Sequence, residues 1–309
     1  MIWIIFTIIL LLALFFATSY VCFRMAFYSK NRTIEVSDAP DLPTGEVYEP
    51  FIDNMRAWVF EARAYPSKTY SIQTPDGLTL MGHYYEHSPN SPIELMFHGY
   101  RGTAERDLSG GVHRAIRLGH SAFVVEQRGS GRSDGNVISF GINEHKDCIL
   151  WINFLIRTFG SDVSIILTGI SMGASTVLMA AGNPLPENVI GVLADCGFTT
   201  AREMIKIVVR SLKLPPSICY PFIRVGARIF GGFALEETSA LEAMKTCKIP
   251  VLFIHGDNDQ LVPWEMSKQN YDTCVCRKEL LIIPGAGHGL CFPVAPETYM
   301  NTMKKYFGC

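Results

Sequence analysis

The sequence predicts an α/β domain: a mostly parallel sheet of about eight strands with helices on both faces, an inserted helical cap and an N-terminal helix able to cross a membrane. Three observations predict it. From residue 68 onward, short β-branched and aromatic runs alternate with longer segments of helical period. One stretch, about 199–243, breaks that alternation with apolar helical faces and no strand. Residues 2–23 carry no charge at all.

Composition narrows the class. Of 309 residues, 48% are hydrophobic and 18% charged, which excludes a disordered chain. A net charge of −2 offers no basic field for nucleic acid. The 26 glycines and 17 prolines follow no fixed period, so collagen-like and low-complexity architectures fail. Nine cysteines at irregular spacing read as buried or free thiols in a reducing compartment. Cys274 and Cys276 form a C-x-C with no second pair to complete a zinc site.

The N-terminal run, Ile2 to Phe23, has Thr7, Thr18 and Ser19 as its main polar content. About 20 apolar residues suffice to cross a bilayer as a helix. A cleaved signal peptide is the rival, and Ala17-Thr18-Ser19 is the small-residue site it would use. The run is long and no Lys or Arg precedes it, so the expectation is an uncleaved anchor. Arg24, Lys30 and Arg32 follow the span, which puts the bulk of the chain on the cytoplasmic side; secretion after cleavage is the alternative. Residues 1–32 are thus anchor and basic flank. Residues 33–66, polar and bearing Pro40, Pro43 and Pro50, are a juxtamembrane linker and lead-in, in which Trp58, Val59 and Phe60 begin to pack on the main domain. That domain is 67–309.

Its strands are expected at Lys68–Gln73, Thr79–Glu86, Ile93–His98, Ser121–Gln127, Val163–Gly169, Val189–Asp195, Val251–His255 and Leu280–Pro284. Thr74-Pro75-Asp76-Gly77 joins the first two as a turn. Helices are expected near 104–118, 143–159, 172–182, 264–273 and 296–307. In the cap, apolar faces run through Met204, Ile205, Val208 and Val209, then Ile218, Phe222, Ile223 and Phe230.

The chemistry falls at strand ends. Gly169-Ile170-Ser171-Met172-Gly173 follows a strand and opens a helix, the setting in which small neighbours let a serine occupy a strained, exposed turn. A serine hydroxyl needs a general base, and the base an orienting acid. His288, in Gly287-His288-Gly289 past the last strand, is the expected base. For the acid, Asp259 is placed to lean across its loop and ranks first. Asp195, ending the 189–195 strand, ranks second as the fallback, and Asp257, suited to stabilising the turn, third. Two backbone N–H groups must face the developing oxyanion, one from Met172 and one from the loop after the third strand, where Tyr100 ranks first and Arg101 is the alternative. His98 has no companion metal ligands and reads as structural. Arg128 is expected to make structural hydrogen bonds, and Gly129–Gly135 is a turn rather than a phosphate cradle.

Taken together, His98-Gly99-Tyr100, Gln127-Arg128-Gly129, Gly131-Arg132-Ser133, the G-x-S-x-G around Ser171, His255-Gly256 through Asp259 to Val262-Pro263, and Gly287-His288-Gly289 resemble the α/β-hydrolase superfamily of serine hydrolases over about residues 68–309. Within it the chain is most similar to membrane-anchored bacterial hydrolases and depalmitoylase-like proteins. The resemblance implies the α/β-hydrolase fold, assigns the acid to Asp259 through the pattern His-Gly-x-x-Asp-x-x-Val-Pro, and makes Asp195, in Asp195-Cys196-Gly197-Phe198, structural.

The expected activity is hydrolysis of a carboxylic ester or thioester through an acyl-serine, with no metal or organic cofactor. The anchor and the apolar cap point to a small acyl ester or lipid-like substrate. The rivals are a serine peptidase of the prolyl-oligopeptidase type, which ordinarily carries a large extra domain, and a catalytically silent binding protein on the same fold. Oligomeric state is not readable from the sequence.

Overall fold

The computed structural model describes residues 1–30 and 39–308. Arg32 of the basic flank and the start of the lead-in lie outside them. The chain opens with α1 (Ile2–Ala26), an uninterrupted apolar helix without Gly or Pro. The Thr7 and Ser19 hydroxyls donate to the Trp3 and Phe15 carbonyls one turn back, so neither is left unsatisfied in apolar surroundings. By length and composition α1 can cross a membrane. Its end is tied directly to the rest of the chain: the Ile138 N–H donates to the Phe27 carbonyl, the Ser29 N–H donates to the Asn136 carbonyl, each at 2.8 Å, and Tyr28 pairs with Val137.

The lead-in contains a helix that its polar, proline-bearing composition concealed. Pro50 sits in the first turn of a 3-10 segment (Glu49–Phe51), where its missing N–H costs nothing, and α2 (Ile52–Ala64) follows at once. Val59 and Ala62 are its buried residues.

The remaining elements are β1 (Ser67–Gln73), β2 (Thr79–Tyr85), β3 (Ile93–Phe97), α3 (Ala104–Leu118), β4 (Ser121–Glu126), α4 (Glu144–Phe159), β5 (Ile165–Ile170), α5 (Met172–Ala181), β6 (Val189–Asp195), α6 (Ala201–Ser211), α7 (Pro216–Phe230), α8 (Ala240–Met244), β7 (Val251–Gly256), α9 (Glu265–Thr273), β8 (Lys278–Ile283), α10 (Cys291–Val294) and α11 (Pro296–Phe307). Eight strands form one sheet in the order β1-β2-β4-β3-β5-β6-β7-β8. β2 is antiparallel to both neighbours, and from β4 to β8 the pairing is parallel.

Alternation of side chains across the strands divides the core. Leu95, Phe97, Phe123, Val125 and Phe253 face α4 and α5. Met96, Ala122 and Val124 face α3 and Ala62 of α2. Leu252 and Ile254 face Tyr299, Met300 and Met303 of α11.

Two features position the site. After β3 the chain steps outward to β4, then returns to place β5 on the other side of β3, with Phe97 beside Gly169. The loops leaving β3 and β5 therefore diverge at neighbouring strand ends, the switch point where open α/β sheets bind ligands. The second is the cap. α6 and α7 bury Met204, Ile205, Val209, Tyr220 and Ile223 in a cluster shared with Phe23 and Phe27 of the N-terminal segment.

Candidate active site

Ser171 stands between β5 and α5 at φ 57°, ψ −119°, a sparsely populated backbone region for a residue with a side chain. The surrounding glycines permit it. A Cβ on Gly169 would lie 2.2 Å from the Gly173 carbonyl, and one on Gly173 would lie 2.0 Å from the Phe97 carbonyl oxygen. The turn exists only because both neighbours lack side chains.

The structure brings three of the expected residues together. Ser171 Oγ is 2.9 Å from His288 Nε2, and His288 Nδ1 is 2.7 Å from Asp259 Oδ2. A carboxylate only accepts, so Nδ1 carries the imidazole proton and Nε2 is free to accept from the serine. Asp259 Oδ1 accepts the Leu261 and Val262 N–H groups at 2.9 and 2.8 Å. Burial opposes its charge, but hydrogen bonds from His255 and His288 and the field of His288 outweigh burial and hold the carboxyl well below the usual carboxylate range.

His255 is a participant the sequence reading missed. It is fully buried, and its Nε2 lies 3.2 Å from Asp259 Oδ2 and 3.0 Å from the Val262 carbonyl. Both partners are acceptors, so Nε2 bears the proton, and Nδ1 meets Ser267 Oγ at 2.7 Å. Asp259 is thus gripped by two imidazoles. The signal was there in the His at the end of β7, four residues before the acid.

The other acid candidates go elsewhere. Asp195 Oδ2 accepts from the Tyr299 hydroxyl at 3.0 Å, and burial raises its pKa. Asp257 Oδ1 accepts the Gly285 N–H at 2.6 Å, a turn-stabilising bond. Arg128 makes a bidentate pair with Asp147, at 2.7 Å for each bond, and reaches Asp76 at 2.9 Å.

The Gly99–Arg101 loop lies against the serine: a Cβ on Gly99 would sit 3.8 Å from Ser171 Oγ. His98 holds the loop. Its Nε2 accepts the Gln127 N–H at 3.1 Å, so Nδ1 donates to the Gly99 carbonyl at 2.8 Å, and burial favours the neutral ring. The Tyr100 and Met172 N–H groups find no acceptor among the described residues. Met172 opens α5, whose dipole turns its positive end toward the site. The Tyr100 side chain points away, its hydroxyl 2.8 Å from the Ala26 carbonyl at the end of α1.

A cavity of about 360 Å³ opens at Ser171. The cap does not wall it. No residue of 199–243 lines it; Tyr48, Met55 and Trp58 of the lead-in do, facing Leu108, Leu261 and Phe292. The Tyr48 hydroxyl donates to the His288 carbonyl at 3.1 Å and fastens that roof to the loop carrying His288. As for metals, Cys196, Asp259 and His288 present ligating atoms within 4.8 Å of one another, but an ion there would compete with the bonds His288 makes to Ser171 and Asp259. Burial holds the Cys196 thiol protonated.

A serine at a strand–helix elbow on a sheet of this order is the arrangement of the α/β-hydrolase fold. The sequence profile of the serine hydrolase (FSH1) family matches residues 223–290. YqkD of Bacillus subtilis is 25% identical over 250 residues, 80% of this chain and 82% of that protein. The membrane protein YNL320W of Saccharomyces cerevisiae is 24% identical over 173 residues, 56% of each chain. The Pyrococcus furiosus esterase Pf2001 superimposes with a TM-score of 0.66 at 20% identity, covering 87% of this chain and 96% of that one. The chain has the α/β-hydrolase fold and is similar to serine hydrolases and esterases.

Proposed function

We propose that the chain is a carboxylic-ester or thioester hydrolase working through an acyl-serine. The observation that carries this reading is the unbroken set of bonds from Ser171 Oγ through His288 to Asp259. Ser171 attacks the acyl carbonyl while His288 Nε2 takes its proton, and the Tyr100 and Met172 amides receive the oxyanion. His288 then protonates the departing alcohol or thiol. In the second half it draws a proton from water, the hydroxide displaces the acyl group from Ser171, and the serine proton returns. Asp259 keeps Nδ1 protonated and stabilises the imidazolium that forms at each step.

The mostly apolar cavity supports a small or slender acyl group. The same reading holds α1 to be a retained single-pass anchor with the catalytic domain on the cytoplasmic side, supported by its exposed apolar surface and by Arg24 and Lys30 just after it.

The test is labelling with a fluorophosphonate probe, wild type beside Ser171→Ala, followed by a chain-length series of p-nitrophenyl esters. Labelling and turnover lost together in the variant support the reading. Folded wild type that neither labels nor turns over any ester overturns it.

A further inference from the structure

We propose that the cap is seated in the membrane interface, with α7 and the α6–α7 turn in the headgroup–acyl boundary beside α1. This rests on the reading of α1 as a retained anchor. The uncharged run of α1 continues to Phe23, and Arg24 is the first charge after it.

Yet α7 touches α1 inside that limit. The Phe15 and Phe222 rings lie 5.0 Å apart. Gly226 comes so close that a Cβ there would sit 2.4 Å from the Ser19 carbonyl oxygen. Tyr20 and Phe230 rings meet at 5.1 Å. Phe15, Ser19 and Tyr20 all lie within the uncharged run that ends before Arg24, so a cap packed on them comes down to the level at which an anchored α1 leaves the lipid.

The surface of the cap matches that placement. Leu212, Leu214, Ile218 and Ile229 are 57%, 50%, 63% and 53% exposed, a cost in water that the acyl boundary removes. Arg210, Lys213 and Arg228 make no ion pair among the described residues. Their long stems reach from an apolar boundary to lipid phosphates, which also limits how deep the turn can sit. Cations around an apolar turn fit an anionic leaflet better than a protein partner.

The test places a photoreactive residue in the full chain, reconstituted in phosphatidylcholine–phosphatidylserine vesicles, at one of three positions: Leu11→p-benzoylphenylalanine in α1, Ile218→p-benzoylphenylalanine in the turn, and Glu187→p-benzoylphenylalanine at the far end of the sheet. Lipid adducts at 11 and 218, with yield at 218 about tenfold above that at 187, support the proposal. Adducts at 11 without adducts at 218 overturn it and leave the anchor standing. A mature chain that has lost its first residues, or one without adducts at 11, overturns the anchor reading and the proposal with it. Crosslinks from 218 to a second copy of the chain make the turn a self-association surface and overturn the lipid assignment.

Discussion

The Tyr100 hydroxyl donates a 2.8 Å hydrogen bond to the Ala26 carbonyl, joining the loop beside Ser171 to the last turn of the apolar helix. Arg101, held at φ 53°, reinforces the joint by donating to the Met25 carbonyl at 2.7 Å. These carbonyls are among those a helix end leaves without internal partners. Tyr100→Phe removes one such bond and frees the loop. We expect a stability loss of about 1 kcal/mol. We also expect kcat to fall by about threefold to tenfold with KM little changed, because the proposed mechanism uses the Tyr100 amide in the transition state. Steady-state kinetics on a soluble ester, beside a thermal melt, check both.

Gly173 has no room for a side chain. The Cβ of Gly173→Ala would sit 2.0 Å from the Phe97 carbonyl oxygen and 2.8 Å from the His98 carbonyl oxygen, backbone atoms rather than a flexible side chain. The expected cost is about 3 kcal/mol or more. A urea titration of the variant with an unchanged midpoint would contradict this account of the elbow.

Asp259 and Asp195 are separated by substitution. Asp259→Asn presents an amide to His288 Nδ1 and favours the wrong tautomer, so kcat is expected to fall by about 10⁴. Asp195→Asn disturbs a bond to Tyr299, not to His288, and kcat should stay within about tenfold of wild type. The reverse ranking would transfer the acid to β6.

Acid stability follows from Asp259. Its carboxyl titrates lower in the folded chain than its unfolded value of about 3.9. The folded state binds fewer protons there, so its contribution to stability is complete above the unfolded value and lost as pH falls toward the folded one. Between about pH 5 and pH 3, the urea midpoint of wild type should fall more steeply than that of Asp259→Asn.

The roof is expected to set chain length. Trp58 lines the cavity and stacks on His113 with centroids 5.6 Å apart. Trp58→Ala should move the optimum in a p-nitrophenyl ester series to longer acyl chains by about two to four carbons. An unmoved optimum would place the acyl group elsewhere.

Much of this is legible in the sequence because it is local. Strand periodicity locates all eight strands to within about two residues at either end. Ser171, His288 and Asp259 are readable because each needs a distinctive neighbourhood: glycines at the elbow, glycines flanking the base, and a turn after a strand. What stays hidden depends on partners far away. Tyr48 meets the His288 carbonyl across 240 residues. The roof over the cavity therefore has the look of a linker, while the cap, which has the apolar composition of a pocket wall, spends it on α1. The sequence shows His255 only as part of a pattern; its hold on Asp259 escapes notice because a histidine inside a buried strand looks like core until its two acceptors are seen.

The bonds from residues 27–29 to residues 136–138 tie the end of α1 directly to the connection between β4 and α4. In an anchored chain that makes the molecule a ruler. On that reading the Ser171 hydroxyl would stand at one set height above the bilayer, and a scissile bond would be selected by how far it projects from its own attachment. A substrate free in solution escapes that measure; one rooted in the same membrane does not.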